Sequence, residues 1–151
     1  MARFVYRMQS VLNIKQQTEN QTKMEFAVAQ AELNQQLDIL DEYVERKTRY
    51  IQEAEELRNA PSLKLRDILD NQYATAQMDV MIKQQSAIVQ QYEQKVERVR
   101  VKLTRNIQER KMQETLRDRA FAEFLEEQKQ EEAKENDQRT SFTYGQKQKE
   151  D

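Results

Sequence analysis

The chain has 151 residues, of which 37% are hydrophobic and 34% charged, so it carries too little apolar material for an ordinary globular core. It contains no cysteine and no histidine, which excludes disulfides, thiolate nucleophiles, and imidazole bases or metal ligands. The formal net charge of −2 favours no class of partner, whereas one glycine, one proline and abundant Gln, Glu, Lys, Arg and Ala favour long helices in an all-α protein.

The N-terminal part of the chain has the apolar spacing of an amphipathic helix. Apolar side chains recur in steps of three and four from Phe4 to Ala54, which predicts a first helix over about residues 3–58. Polar residues interrupt this stripe at Lys15, Thr18 and Thr22, where they either fix the register of a coiled coil at a cost in stability or mark points of bending or partner contact. No segment approaches the ~18 consecutive apolar residues of a membrane span, and the N-terminus lacks a signal-peptide core, so we expect a cytoplasmic protein.

A single break in the helical pattern follows, over about residues 59–64. Asn59, Pro61 and Ser62 supply turn chemistry, because the residue before a proline is driven out of the helical region and a serine can cap the next helix. Two amphipathic helices joined by so short a turn bury their apolar stripes against each other. We therefore predict an antiparallel two-helix coiled-coil hairpin.

The second helix is predicted over about residues 65–136 and is the longer one. Its stripe runs from Leu65 to Ile107 and is interrupted by Asn71 and Gln85. Counting outward from the turn places apolar residues opposite each other along most of the length. The expected pairs are Leu57 with Leu65, Val44 with Met78, Leu40 with Ile82, Leu33 with Val89, Phe26 with Val96, Val11 with Ile107 and Phe4 with Leu116.

The early turn leaves the end of the second helix overhanging the first. This overhang carries Phe121, Phe124 and Leu125 on one side, with no partner expected within the chain. Exposed apolar patches of this kind usually mark partner sites, although the patch could also bend back and cap the hairpin. Residues 138–151 form a polar run that we expect to be a flexible, disordered C-terminal tail, which leaves one helical domain over residues 1–137.

Charge is sorted along the second helix. Eight basic and three acidic residues lie between Lys95 and Arg117, whereas seven acidic and two basic residues lie between Glu123 and Asp137. The basic block is compatible with a solvated coiled-coil face or with a protein docking surface. Nucleic acid is the least favoured partner, because glutamates are mixed into the block and no aromatic residues alternate with its basic ones.

The residues of a catalytic site are missing from the sequence. One glycine cannot form a phosphate-binding loop, and no nucleophile lies beside a base that would activate it. Glu126, Glu127, Glu131 and Glu132 share one exposed helix, where no opposing shell completes a metal site. We predict a protein that is not an enzyme and has no cofactor, metal or small-molecule substrate.

Two segments resemble the FliJ family. The opening "RFVYRMQSVLNIKQQTENQTKMEFAVAQAEL" is similar to the start of that family, and "ERKMQETLRDR" is similar to the most characteristic piece of its long C-terminal helix. The likeness covers about residues 3–135. It implies a non-enzymatic coiled coil of the bacterial flagellar type III export apparatus, similar to the central stalk of rotary ATPases and required for motility.

The resemblance also implies partners: the export ATPase FliI, the export gate protein FlhA and the export chaperones, with a peripheral location at the cytoplasmic face of the membrane. Residues expected at the ATPase contact are Arg110, Lys111, Arg117, Phe121, Phe124 and Leu125. Residues aligned with family contacts to the gate are Gln36, Leu40, Tyr43, Met78, Met81 and Gln85, of which Leu40 and Met78 also fit the core of the hairpin. The alternative function is a structural coiled-coil tether or a self-assembling scaffold.

Overall fold

The computed structural model describes residues 2–150 as two α-helices, with no strand in that range. Helix α1 spans Gln9–Arg58 and helix α2 spans Leu65–Glu150. The helices run in opposite directions and pack against each other, and the second is the longer, which confirms the predicted fold class. The packing divides into a turn unit, Gln21–Thr104, and a terminal unit, Met1–Asn20 with Arg105–Asp151.

The turn unit has an apolar core with three buried polar side chains. Its buried residues are Thr22, Ala29, Leu33, Asn71, Met78, Gln85 and Val89. The Asn71 side-chain amide donates to the backbone carbonyl of Tyr50 at 2.9 Å, and the Gln85 amide donates to the backbone carbonyl and side-chain oxygen of Gln36 at 2.9 and 2.8 Å. Both side-chain amides are therefore hydrogen-bonded to the facing helix. Each bond joins residues that lie within one position of the pairing expected from the sequence.

The structure corrects the expected pairing of Val44 with Met78. Val44 is 46% exposed, whereas Met78 is buried. The positions of α1 that face α2 recur every seven residues, so the buried Leu33 is followed by the half-buried Leu40 and Lys47 rather than by Val44. Leu65, expected opposite Leu57, is likewise exposed at the start of α2.

Helix α1 begins later than the sequence suggested, and this changes the packing of the terminal unit. Residues 2–8 lie outside the helix. The backbone N–H of Gln9, the first helical residue, donates to the backbone carbonyl of Tyr6 at 3.1 Å. A non-helical chain advances up to ~3.3 Å per residue and a helix only ~1.5 Å. Phe4 therefore extends past its expected partner Leu116 and reaches Phe121 and Phe124.

Helix α2 also differs from the expectation at its other end. We expected a flexible tail over residues 138–151, but the helix continues to Glu150, and Asp151 lies outside the described residues. The segment contains several Gln and Lys residues, and its single Gly145 costs only ~1 kcal/mol relative to alanine. The hydroxyls of Thr140 and Thr143 each donate to the carbonyl four residues earlier, at 2.8 Å.

Candidate protein-binding surfaces

Three phenylalanine rings form a cluster in the terminal unit. The Phe4 ring centroid lies 5.1 Å from that of Phe121 and 5.4 Å from that of Phe124, and the two rings on α2 are 6.5 Å apart. This corrects the expectation that the aromatic residues of α2 have no partner within the chain. The cover is partial, because Phe121 remains 44% exposed and Leu125 50% exposed.

Phe4 belongs to the non-helical segment of residues 2–8, the strap, which precedes α1. Its second anchor is the Tyr6 hydroxyl, which donates to the Gln113 side-chain oxygen at 3.1 Å. A cleft of about 360 Å³ lies between the strap and α2. Arg3 and Arg7 line one side of the cleft, and Glu123 and Glu127 line the other.

Arg110, expected at the ATPase contact, is engaged inside the terminal unit. Its guanidinium donates to the Glu19 carboxylate and, at 2.8 Å, to that of Glu114. Both hydrogen bonds raise the pKa of Arg110 above its ordinary value, and the bond to Glu114 makes the larger contribution. Glu19 is only 4% exposed, so this pair belongs to the packing between the helices.

The burial of Glu19 was difficult to predict from the sequence, because a glutamate between polar neighbours usually lies on the solvated face of a helix. One signal was present: Glu19 lies seven residues after Leu12 and seven before Phe26, at a core position of the repeat. Lys15 lies on the same side of α1 and pairs with Glu109 at 2.9 Å. The remaining basic residues expected at the ATPase contact, Lys111 and Arg117, are exposed.

Part of the basic block pairs with α1 in the turn unit. Lys95 contacts Glu32 at 2.8 Å and Lys102 contacts Glu25 at 3.1 Å, with all four side chains substantially exposed. The hydrogen bond that Lys95 donates to the Glu32 carboxylate is the main cause of a raised pKa for Lys95. These residues act as flanking pairs of a coiled coil, in agreement with the interpretation of this part of the block as a solvated face.

The residues aligned with gate contacts separate into two groups in the turn unit. Met78 is 3% exposed and Gln85 is 6% exposed, so both lie in the core. Leu40, Tyr43 and Met81 are half-buried, and each leaves part of its side chain at the surface. Gln36 is also half-buried and accepts the hydrogen bond from Gln85.

Neither a metal cluster nor a membrane-spanning helix is found in the part of the chain that the structure describes. Among residues 2–150, no three acidic side chains are grouped so that they would hold a metal ion. Neither α1 nor α2 contains a stretch apolar enough to cross a lipid bilayer.

Two antiparallel helices with core positions at seven-residue spacing, flanked by lysine–glutamate pairs, define a coiled-coil hairpin protein. The family model described as "Flagellar FliJ protein" matches residues 4–149, and the chain therefore belongs to the FliJ family. No curated protein and no solved structure matches it. The FliJ family is a non-catalytic component of flagellar type III protein export, so membership implies a role in motility and protein partners in that apparatus.

Proposed function

We propose that this FliJ-family chain links the export ATPase FliI to the export gate FlhA and assists the chaperones of export substrates. The observation that carries the proposal is the partly exposed apolar face of α2 formed by Phe121, Phe124 and Leu125, in a chain whose family works in flagellar export. Apolar faces rimmed by charged residues are typical of protein–protein contacts. The protein acts in the cytoplasm, at the membrane face, through the export apparatus.

The ATPase contact is assigned to the terminal unit. Leu125 supplies aliphatic surface outside the ring cluster, while the exposed Lys111 and Arg117 supply charge that would steer an acidic partner. Arg110 has a different role in this proposal, because its guanidinium is held by Glu19 and Glu114. It positions α2 against α1.

The test compares two exposed apolar residues of the same helix. Leu125→Ala should weaken binding to purified FliI about tenfold, since loss of roughly 1.4 kcal/mol of apolar burial has that effect on a dissociation constant. Phe142→Ala is the matched control, because Phe142 is 67% exposed and lies 17 residues further along α2. Equal affinities of the two variants for FliI would show that the ATPase does not bind at Leu125.

Charge reversal separates steering from contact. Lys111→Glu with Arg117→Glu should slow association with FliI and reduce its salt dependence, with little change in the dissociation rate. Arg139→Glu, on the same helix outside this group, serves as the control. An unchanged association rate in stopped-flow measurements would contradict a steering role for these two residues.

The gate contact is assigned to the half-buried edge of the turn unit. Leu40, Tyr43 and Met81 offer surface to a partner, with Gln36, Met78 and Gln85 holding the helices beneath them. Tyr43→Ala should reduce capture by the immobilised cytoplasmic part of FlhA, whereas Tyr73→Ala should not, because Tyr73 is 68% exposed outside this group. Circular dichroism must show equal helicity for both variants.

The tether or scaffold alternative is tested separately. Co-purification from flagellated cells should recover the ATPase and the gate with this chain, without nucleic acid. Sedimentation should show no large self-assembly at micromolar concentration. Concentration-dependent filaments together with absence of the ATPase would favour a scaffold and contradict the proposed function.

A further inference from the structure

The strap lies directly over the apolar face that the proposed function assigns to the ATPase. Phe4 contacts both Phe121 and Phe124, the latter at a tilted interplanar angle of 49° and the former nearly edge-to-face at 68°. Only the parts of these rings that touch Phe4 are withheld from a partner while Phe4 is in place, because Phe121 remains 44% exposed. A protein that docks on this face must therefore displace Phe4 or dock around it.

Few interactions hold the strap in place. Its described side-chain anchors are the Phe4 ring contacts and the single Tyr6–Gln113 hydrogen bond, while Val5 between them is 76% exposed. The strap is non-helical, and only its last residues are tied to the start of α1. Terminal segments with so few buried contacts open at a small cost in free energy.

The strap is also open to solvent along one side. The cleft of about 360 Å³ between it and α2 is a surface groove, so packing does not enclose this side of the strap. The charges along the cleft are complementary, with Arg3 and Arg7 on the strap and Glu123 and Glu127 on α2. Their attraction favours closure and weakens as salt increases.

From these contacts we propose that the strap is an autoinhibitory cover, which competes with the ATPase for the Phe121–Phe124 face. The inference rests on the proposed ATPase contact and adds its regulation. In the closed form Phe4 occupies the face; in the open form Phe4 leaves it, and both rings of α2 become available. The measured affinity is the intrinsic affinity reduced by the fraction of open chains, so removal of the cover tightens binding.

The first experiment measures FliI affinity for three variants of the full chain. Phe4→Ala should tighten binding roughly three- to tenfold, as expected if two ring contacts keep most of the population closed. Val5→Ala, which alters the strap without removing a ring contact, should leave the affinity unchanged. Phe124→Ala should weaken binding, because it removes part of the face itself.

The outcomes separate the cover from the proposed site. If Phe4→Ala weakens binding as Leu125→Ala does, Phe4 belongs to the contact; the cover is then overturned and the ATPase site stands. If neither Leu125→Ala nor Phe124→Ala weakens binding, the proposed ATPase site is wrong. The proposal that the strap competes with the ATPase is then overturned as well.

A second experiment observes the strap directly. Since the chain has no cysteine, cysteines placed at Val5 and Glu126 give two unique positions for spin labels. Saturating FliI, or high salt alone, should move the distance distribution to longer values. A distribution unchanged by bound FliI would overturn the proposal, because the face would then be occupied without displacement of the strap.

Discussion

Over residues 2–150, the buried positions of the turn unit are mostly Ala, Leu, Met and Val, whereas those of the terminal unit are Leu12 and the carboxylate-bearing Glu19. The turn unit adds the amides of Asn71 and Gln85, which bond to the facing helix. The terminal unit adds the largely buried Glu19–Arg110 ion pair and a three-ring aromatic cluster, whereas the ion pairs between the helices of the turn unit are substantially exposed. Both units pack the same two helices, but by different interactions.

This difference matters because the interactions respond differently to change. Apolar burial is non-directional and insensitive to salt, and it favours a permanently paired structure. Ion pairs and a few aromatic contacts depend on geometry and ionic strength, and they can be exchanged for contacts with a partner. We expect the turn unit to maintain the hairpin and the terminal unit to undergo the adjustments that accompany binding.

The largest effect is expected from Leu12→Ala, which tests how far the terminal unit depends on the one apolar residue that is fully buried among its described residues. Leu12 is 0% exposed, so truncation should reduce the free energy of unfolding by about 3 kcal/mol through lost burial and a residual cavity. Ile14→Ala is the control on the same helix, because Ile14 is 59% exposed. Urea denaturation followed by circular dichroism measures both, and equal effects would contradict the assigned burial.

A smaller loss is expected from Glu19→Gln, which tests whether the buried ion pair of the terminal unit differs from the exposed pairs of the turn unit. Loss of a charge-assisted hydrogen bond to Arg110 should cost about 2 kcal/mol. Glu25→Gln removes the charge of an exposed partner of Lys102 and should change stability by less than about 0.5 kcal/mol. Similar losses in thermal unfolding would remove the proposed distinction.

Gln85→Leu tests whether the buried amide of the turn unit fixes register at a cost in stability. We expect the free energy of unfolding to rise by about 1 kcal/mol, with a broader distribution of distances between labels on α1 and α2. Gln84→Leu introduces the same side chain at the exposed neighbouring position and should leave that distribution narrow. A narrow distribution in both variants would show that Gln85 is dispensable for register.

The smallest effect concerns the exposed Glu97–Arg100 pair of the turn unit. The hydrogen bond from Arg100 lowers the pKa of Glu97 below its ordinary value of 4.5. The stabilisation is therefore present above that ordinary value and is lost as the pH falls through the lowered pKa. An NMR titration of the unaltered chain and of Arg100→Gln measures this, and the substitution should raise the titration midpoint of Glu97 because it removes the hydrogen bond.

Much of the fold could be predicted from the sequence. Helix-forming residues dominate, the turn chemistry is confined to Asn59–Ser62, and apolar residues recur with helical spacing, so two antiparallel helices follow from local physics. Membership of the FliJ family was likewise expected from the opening segment and the "ERKMQETLRDR" piece, and it is confirmed over residues 4–149.

The residues that face each other between the two helices were harder to predict, because an apolar residue near the helix interface is not always buried in it. Val44 and Ile51 were expected in the stripe but are exposed, while the strict seven-residue repeat brings Tyr43, Lys47 and Tyr50 partly inside. Met78 and Gln85 were candidates for partner contact and lie in the core. Hydrophobicity alone could not rank these positions, because burial is set by the facing helix.

The sequence by itself determined the helices, the single reversal and the family, because these depend on residue propensities and motifs that act over short distances. Only the tertiary structure decided that Glu19 is buried against Arg110 and that Phe4 covers Phe121 and Phe124. The first depends on which side chain the opposite helix presents. The second depends on where α1 begins, since the non-helical strap carries Phe4 further along α2 than a helix would.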